Sequence, residues 1–282
     1  MKKVFSGIFL AMILMLTSLP AYAAHSTIKI DGVVITTDAA PEVKNNRTMV
    51  PLRVISENLG ATVNWTDSKV TLTNNKMQIT LKPNSNTVIK NGKTELLDVK
   101  PYLKNNRLFV PIRFIAETFG CQVNYQNSTV TVNTEPLVMN NVKVKAIQYE
   151  YHMTMGGVVQ QIQGNTYNKA LSKVFTENKG KIVDAPTNYS WQINLDDPGS
   201  YYKLGQYNFM SHENKSIQQF DLYSLNKPFS DEELKGYPEV LIHDVTADKW
   251  YLFTDKALES INQLINTATN NGFVKVLSNT VV

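Results

Sequence analysis

The sequence predicts an α+β fold, and three observations support this class. A series of turn, strand, short-helix and hairpin signals occurs twice in the first half of the chain. The second half contains several stretches in which apolar and polar residues alternate, which is typical of strands. It also contains two stretches with apolar residues three and four positions apart, as on one face of a helix. Helices and strands mixed without a regular βαβ order indicate an α+β architecture.

A repeat at a fixed spacing is the most informative feature of the first half. The residues from Lys44 to Gly60 return as the residues from Lys104 to Gly120, 60 positions later and without a gap. Both copies contain Asn-Asn-Arg, then Val-Pro-Leu or Val-Pro-Ile before Arg, then Ile-x-Glu and a final Gly. Such a recurrence indicates a duplicated structural unit. One unit of this size buries little apolar surface, so we expect the two 60-residue copies to share one core.

Each copy predicts the same elements in the same order. The two asparagines predict a turn, and the apolar run after them predicts a strand. Pro51 and Pro111 have the fixed φ that suits the first position of a helix. Gly60 and Gly120 follow the short helical stretch where a left-handed glycine ends a helix. The alternating residues after each glycine predict a β-hairpin.

On these Asn-Asn-Arg, Val-Pro, Ile-x-Glu and Gly positions, the two copies resemble the copper amine oxidase N-terminal domain, also called the stalk domain. The resemblance covers residues 26–135. It implies an extracellular, non-catalytic module of the kind that recurs in secreted bacterial proteins. Its name does not imply amine oxidation by this chain.

Copper chemistry is not expected from these residues. The oxidases form their quinone from the tyrosine of an Asn-Tyr-Asp/Glu motif, whereas Tyr125 and Tyr189 precede Gln126 and Ser190. Copper favours clustered imidazoles. The four histidines have no paired spacing; they are His25, His152, His212 and His243. We therefore predict no metal site and no cofactor.

The beginning of the chain predicts a secretory signal peptide. Lys2 and Lys3 precede an apolar stretch that ends at Leu19, and Ala21-Tyr22-Ala23 is a typical cleavage pattern. No later apolar run is long enough to span a bilayer. We expect a secreted, extracellular or cell-wall-associated protein with three parts: a signal peptide at 1–23, the stalk-like domain at 24–135 and a separate α+β domain at 136–282.

Charge argues against a nucleic-acid partner. The formal net charge of +4 falls to +2 when the two lysines of the signal peptide are removed. Basic residues are not clustered among exposed aromatics, which nucleic-acid binding would require. We therefore expect a partner in the cell wall or among envelope proteins.

The second half resembles no family, and its elements follow from local patterns. Alternation changes phase near Ala146, which predicts a bulge in a long strand. The sequence Ser230 to Glu233 is a capping-box pattern. Strands are predicted at Tyr189 to Leu195, Tyr207 to Met210, Ile217 to Leu225, Val240 to His243, Trp250 to Phe253 and Phe273 to Leu277. Helices are predicted from Tyr167 to Asn178 and after the cap Thr254.

Charged pairs in the two copies are the candidate binding residues. Arg53 and Glu57 are separated by four positions, as are Arg113 and Glu117. An Arg that precedes a Glu contributes at most about a few tenths of a kcal/mol to a helix. The pairs therefore form either a solvated helix face or a paired recognition surface.

Two functions remain open at this point. The leading hypothesis is a non-catalytic protein in which the copies act as an interaction or spacer module, with no catalytic residues. The second is an extracellular hydrolase that acts on wall material through carboxylates such as Asp196, Asp221 or Asp244. Ten tyrosines in the second half form either core or a glycan platform. Weaker candidates are a metal pair at Glu150 and His152 and a partial triad at His243. Cys121 is expected to be a buried thiol.

Overall fold

The structure is a computed structural model that describes residues 27–66, 68–74 and 77–281. The expected signal peptide and His25 lie outside the described residues. Within those ranges the fold is mixed α and β, with four helices and four sheets. In the same part of the chain, no helix has the length and apolar character needed to cross a membrane.

The N-terminal part consists of short strands and two short helices. The helices are α1 (Leu52–Asn58) and α2 (Ile112–Thr118). The strands are β1 (Thr27–Ile30), β2 (Val33–Val34), β3 (Glu42–Lys44), β4 (Arg47–Pro51), β5 (Thr62–Thr66), β6 (Lys69–Asn74), β7 (Met77–Leu81), β8 (Thr87–Lys90), β9 (Lys93–Leu96), β10 (Tyr102–Lys104), β11 (Arg107–Pro111), β12 (Gln122–Gln126) and β13 (Thr129–Asn133).

The two Val-Pro sequences meet in one sheet with the order β10-β11-β4-β3. β4 runs antiparallel to β11, and Val50 is the register partner of Val110. On either side of this pair, Pro51 is the register partner of Phe109, and Pro111 is the register partner of Met49. Neither copy therefore has a complete central sheet without the other.

A second pairing joins the first strand to the last strand of this domain. β1 runs parallel to β13, with Ile28 opposite Val130, in a sheet with the order β12-β13-β1-β2. The hairpin of the first copy, β5-β6, lies in a sheet with the order β5-β6-β7-β8-β9, where the additional strand β7 separates it from β8 and β9. The sheet that contains the hairpin β12-β13 of the second copy is thus completed by β1 and β2, from the beginning of the domain.

Proline and glycine set the limits of both short helices. Pro51 and Pro111 lie one position earlier than expected, because their extended ψ of 120° and 121° makes them the last strand residues and the helix N-caps. Gly60 and Gly120 have φ of 81° and 78°. The amide of each glycine donates to the carbonyl three residues earlier, at 2.9 and 3.0 Å. These left-handed residues end the helices as the sequence predicted.

Replacing Gly60 with valine is expected to lower the free energy of unfolding by more than about 1 kcal/mol, because a β-branched residue resists positive φ. Gly120→Val should cost less, because a Cβ there meets nothing within 4 Å, whereas at Gly60 it lies 3.1 Å from Cγ2 of Thr166. Urea denaturation measures both, with Gly60→Asn as the control that tolerates this backbone. Unchanged midpoints in both valine variants would contradict the assignment.

The C-terminal part is one ten-stranded sheet with two helices. The helices are α3 (Asn165–Glu177) and α4 (Asp255–Asn270). The strands are β14 (Val138–Met139), β15 (Val142–Met153), β16 (Gly156–Ile162), β17 (Ile182–Val183), β18 (Tyr189–Ser190), β19 (Tyr201–Ser211), β20 (Ser216–Leu225), β21 (Val240–Asp244), β22 (Lys249–Phe253) and β23 (Val274–Asn279). The main path is β17-β22-β21-β20-β19-β15-β16-β23, with β14 beside β15 and β18 beside β19.

Most local predictions in this part are confirmed. The register between β15 and β19 shifts between Val144 and Ala146, where the bulge was expected. The hydroxyl of Thr254 accepts the amide of Ala257 at the start of α4. The apolar face of α4 is buried at Ile261 and at the later positions of the predicted stripe.

Two local predictions differ from the structure. The strand expected from Tyr189 to Leu195 ends at Ser190. The side-chain oxygen of Asn194 accepts the amides of Asp196 and Asp197, which forms a turn instead. Ser230 and Glu233 do make the capping-box contacts. The residues after them form turns rather than a helix.

Both parts of the chain contribute to one hydrophobic cluster. It contains Ile55 and Ile115 from the short helices together with Phe175 and Ile261 from the long ones. Polar contacts also cross between the parts, since the hydroxyl of Tyr167 donates to the Asn58 side chain at 3.0 Å. The boundary at residue 135 stays a prediction, and the two sides of it are packed together.

Candidate functional site

The face of the ten-stranded sheet that lies away from α3 and α4 carries a row of chemically active side chains. Its members are register partners on five neighbouring strands: Glu150, Gln206, Asp221, His243 and Trp250. Directly opposed residues point to the same side of a sheet. Phe220 stacks on Phe175 of α3, so its neighbour Asp221 points to the other face. We call these five residues the cross-strand row.

A buried ion pair lies at the centre of this face. Nζ of Lys203 is 2.6 Å from Oδ2 of Asp221, and the two side chains are only 11% and 6% exposed. Gln219 donates to Oδ1 of the same carboxylate at 3.0 Å. The ammonium also donates to the side-chain oxygen of Gln206 at 3.0 Å. Burial, together with the Asp221 carboxylate, raises the pKa of Tyr223 well above its usual range.

Trp191 covers one end of the row. Its ring stacks on His152 with 4.1 Å between centroids and 9° between planes. Nζ of Lys203 lies 4.6 Å from the Trp191 ring centroid on the same face, which is a cation–π distance. Nε2 of His152 is 2.9 Å from Oε1 of Glu150, so the predicted pair of residues does meet. An indole held by an imidazole and an ammonium forms a flat surface beside exposed polar groups.

The other end of the row is aromatic. His243 stacks on Trp250 at 4.4 Å, and Tyr189 meets the edges of Tyr223 and Trp250. Tyr207, in contrast, is buried against Phe175 on the helix side. The tyrosines of this half therefore divide between the core and the open face.

The carboxylates predicted for a hydrolase do not converge. Asp244 lies on the helix side, where it pairs with Lys179 at 2.5 Å and accepts from Gln218. Asp221 points to the opposite face, and Asp196 lies in the turn that follows Asn194. The sequence missed Glu150 as a partner of Asp221 on one face. The strand pairing that brings them together is not contained in the local pattern.

The histidines do not fit a copper centre. His152 and His243 are three strands apart, about 14 Å at the usual strand spacing. His243 lies against Asp248 at 3.2 Å, and His212 follows the far end of β19. Among the residues that the structure describes, no group of three or more His, Cys, Asp or Glu side chains could hold a metal ion.

The charged pairs of the two copies are present as exposed contacts. Nε of Arg53 is 3.9 Å from Oε1 of Glu57, and the equivalent distance from Arg113 to Glu117 is 3.5 Å. The guanidinium of Arg113 also lies 4.9 Å from the ring centroid of Tyr125. Exposed pairs of this kind contribute little stability. Their role in recognition stays a prediction.

Two further arginines connect the copies, and the sequence analysis missed them. Nε of Arg47 is 2.5 Å from Asp98, and Nε of Arg107 is 2.6 Å from Asp38. The two contacts are related by the 60-residue shift in both partners. The sequence signal that could have predicted these contacts is the presence of Asp38 and Asp98, 60 positions apart. The arginines of the Asn-Asn-Arg turns thus hold one copy to the other.

The lone thiol is buried, as predicted. Burial raises the pKa of Cys121 to about 11, which keeps the sulfur protonated at neutral pH. A protonated, buried thiol is a poor nucleophile.

Comparison with known families identifies the N-terminal part. Residues 29–134 match the sequence model of the copper amine oxidase N-terminal domain. No curated protein and no solved structure matches the chain. The match begins within β1 and ends one residue after β13, so it includes both short helices and both arginine–aspartate contacts. Residues 29–134 of this chain are therefore a copper amine oxidase N-terminal domain.

Proposed function

We propose that this chain is a secreted, non-catalytic binding protein of the cell wall. Its N-terminal domain is a tandem pair of 60-residue units that acts as an interaction or spacer module. The open face of the ten-stranded sheet binds a cell-wall component or an envelope protein. The observation that carries this proposal is the cross-strand row with Trp191 stacked beside it.

The duplicated arrangement of the N-terminal domain is supported by equivalent contacts. Val50 pairs with Val110, its counterpart in the other copy. The ion pair of Arg47 in the first copy with Asp98 in the second has an equivalent in the ion pair of Arg107 in the second copy with Asp38 in the first. A rigid, doubly linked scaffold suits a module that positions a second binding surface. Export is supported by the signal-like pattern before residue 24.

The open face has the composition of a polar-ligand surface. Glu150 and His152 are each about a third exposed, and Gln206 lies beside them. Their carboxylate, imidazole and amide groups offer hydrogen bonds to hydroxyl or amide groups. Trp191 adds an apolar plane at the edge, which suits the C–H face of a sugar ring. Few precisely placed polar groups beside aromatic rings are typical of ligand sites.

Sedimentation with purified cell wall tests this proposal. The chain from Ala24 onward is expected to sediment with the wall, and Trp191→Ala should weaken this at least about tenfold, as loss of a central aromatic contact does. Gln263→Ala, on the exposed side of α4, is the matched control and should bind as the unaltered protein does. Retention of the unaltered protein in the supernatant, or equal binding by both variants, would contradict the proposal.

One observation favours a hydrolase as the second candidate. Glu150 and Asp221 lie on the same face two strands apart, about 10 Å at the usual spacing. Inverting glycosidases hold their carboxyl groups about 6.5–9.5 Å apart. Against this, the Asp221 carboxylate is already bound by Lys203. Release of reducing ends from wall glycan by the unaltered protein but not by Glu150→Gln would favour the hydrolase and exclude the non-catalytic function.

A further inference from the structure

A pocket of about 340 Å³ lies where the two copies of the N-terminal domain meet. Arg53 from α1 and Trp65 from β5 line it on the side of the first copy. Asn106 and Arg107 line it from the turn of the second copy, and Asp38 closes one end. The pocket therefore combines two guanidinium groups, one carboxylate, one amide and one indole.

Arg53 is available to a ligand, whereas Arg107 is not. Nε of Arg107 donates to Asp38 at 2.6 Å, and its Nη1 donates to the Asn105 carbonyl at 2.9 Å. The 3.9 Å between Arg53 and Glu57 is too long for a hydrogen bond. Within the described ranges the Arg53 side chain makes no hydrogen bond, and it is 61% exposed. Its guanidinium forms an ion pair with Glu57 without a hydrogen bond, so its N–H donors can still bind a ligand carboxylate with two parallel hydrogen bonds.

The equivalent position in the second copy is arranged differently. There, Arg113 lies over the ring of Tyr125 at 4.9 Å. In the part of the chain that the structure describes, no such cation–π contact joins Arg53 to Trp65. The indole, 37% exposed, and the guanidinium are thus separate features of one pocket. A ligand with both a flat apolar face and an acid group can contact the two together.

We infer that this pocket binds an acidic sugar unit of a glycan. The sugar carboxylate pairs with Arg53, and the C–H face of the ring lies on Trp65. Asp38 can accept hydrogen bonds from the ring hydroxyls, and the Asn106 amide can accept or donate them. The lining contains two arginines and one aspartate, and Glu57, 3.9 Å from Arg53, lies outside it, so the lining itself carries a net positive charge that favours an anion. The volume of this pocket lies at the lower end of the range that is typical of small-ligand sites. This site is separate from the open sheet face.

Two sugars that differ by one acid group test the inference. N-acetylmuramic acid has the ring of N-acetylglucosamine plus a carboxylate-bearing ether substituent. Saturation-transfer NMR titrations of the full chain should show at least about tenfold tighter binding of N-acetylmuramic acid, which corresponds to one good charge-assisted contact. Arg53→Gln should abolish this difference, and Trp65→Ala should weaken the binding of both sugars.

Lys215→Gln is the comparison variant, because this lysine is 78% exposed and lies in the other half of the chain. It should keep the preference for the acidic sugar. Equal binding of the two sugars by the unaltered protein, or a preference that survives Arg53→Gln, would overturn the inference. Trp191→Ala separates this site from the open sheet face, because it should reduce cell-wall sedimentation and leave the preference for N-acetylmuramic acid unchanged.

Discussion

Replacing Asp221 with asparagine is expected to lower the free energy of unfolding by about 3–5 kcal/mol, because it leaves a buried lysine without its counter-charge. The Lys203 ammonium is only 11% exposed and has no other carboxylate partner among the described residues. Its contacts with Trp191 and Gln206 offset only part of this cost. The measurement is the midpoint and slope of urea denaturation at neutral pH.

Two further variants separate the buried pair from an ordinary charge change. Glu239→Gln breaks the ion pair between Glu239 and Lys227, in which both side chains are more than half exposed. This variant should lower the free energy of unfolding by less than about 1 kcal/mol. Replacing both members of the buried pair, as Lys203→Met with Asp221→Leu, should recover much of the lost stability. If Asp221→Asn unfolds at the same urea concentration as Glu239→Gln, the buried pair does not stabilise the sheet.

Replacing Phe175 with alanine is expected to cost about 3–5 kcal/mol, which is typical of a large aromatic removed from a core. Phe175 is fully buried. Its ring lies 5.1 Å from that of Phe220 and 4.9 Å from that of Tyr207, with Phe209 at its edge. The cavity would lie between α3 and the middle of the sheet. Thermal or urea denaturation measures the loss.

Ile182→Ala provides the surface control for this prediction. Ile182 is 58% exposed, so its truncation should change the free energy of unfolding by no more than about 0.5 kcal/mol. A Phe175→Ala variant as stable as Ile182→Ala would show that α3 does not pack on the sheet as described.

Signals that act over a few residues predicted the local elements correctly. Gly60 and Gly120 end helices because glycine, without a Cβ, adopts positive φ at little steric cost. The phase change near Ala146 located the bulge in β15 because side chains alternate strictly along a strand. The capping-box contacts at Ser230 also formed. They did not produce a helix, because too few favourable residues follow them.

The functional surface could not be predicted in the same way. The cross-strand row depends on which strands are neighbours and in what register. That information arises from packing of the whole sheet rather than from any short stretch. The sequence analysis grouped Asp221 with Asp244 because both carry carboxylates. In the strand pairing Asp244 lies opposite Phe220, the neighbour of Asp221, so the two carboxylates point to opposite faces. Trp191 lies in a stretch of alternating apolar residues that predicted a strand, and this pattern carries no information about the His152 ring on which Trp191 stacks.

The parallel pairing of β1 with β13 has a consequence for the order in which the chain can fold. During synthesis, β1 emerges about a hundred residues before the strand that it pairs with. Its amide and carbonyl groups must remain solvated, or pair elsewhere, until that strand arrives. Closing so long a loop costs entropy before it yields contacts, and such non-local pairings slow folding. The N-terminal domain is therefore exposed to proteases and to wrong strand partners until β13 has been synthesised.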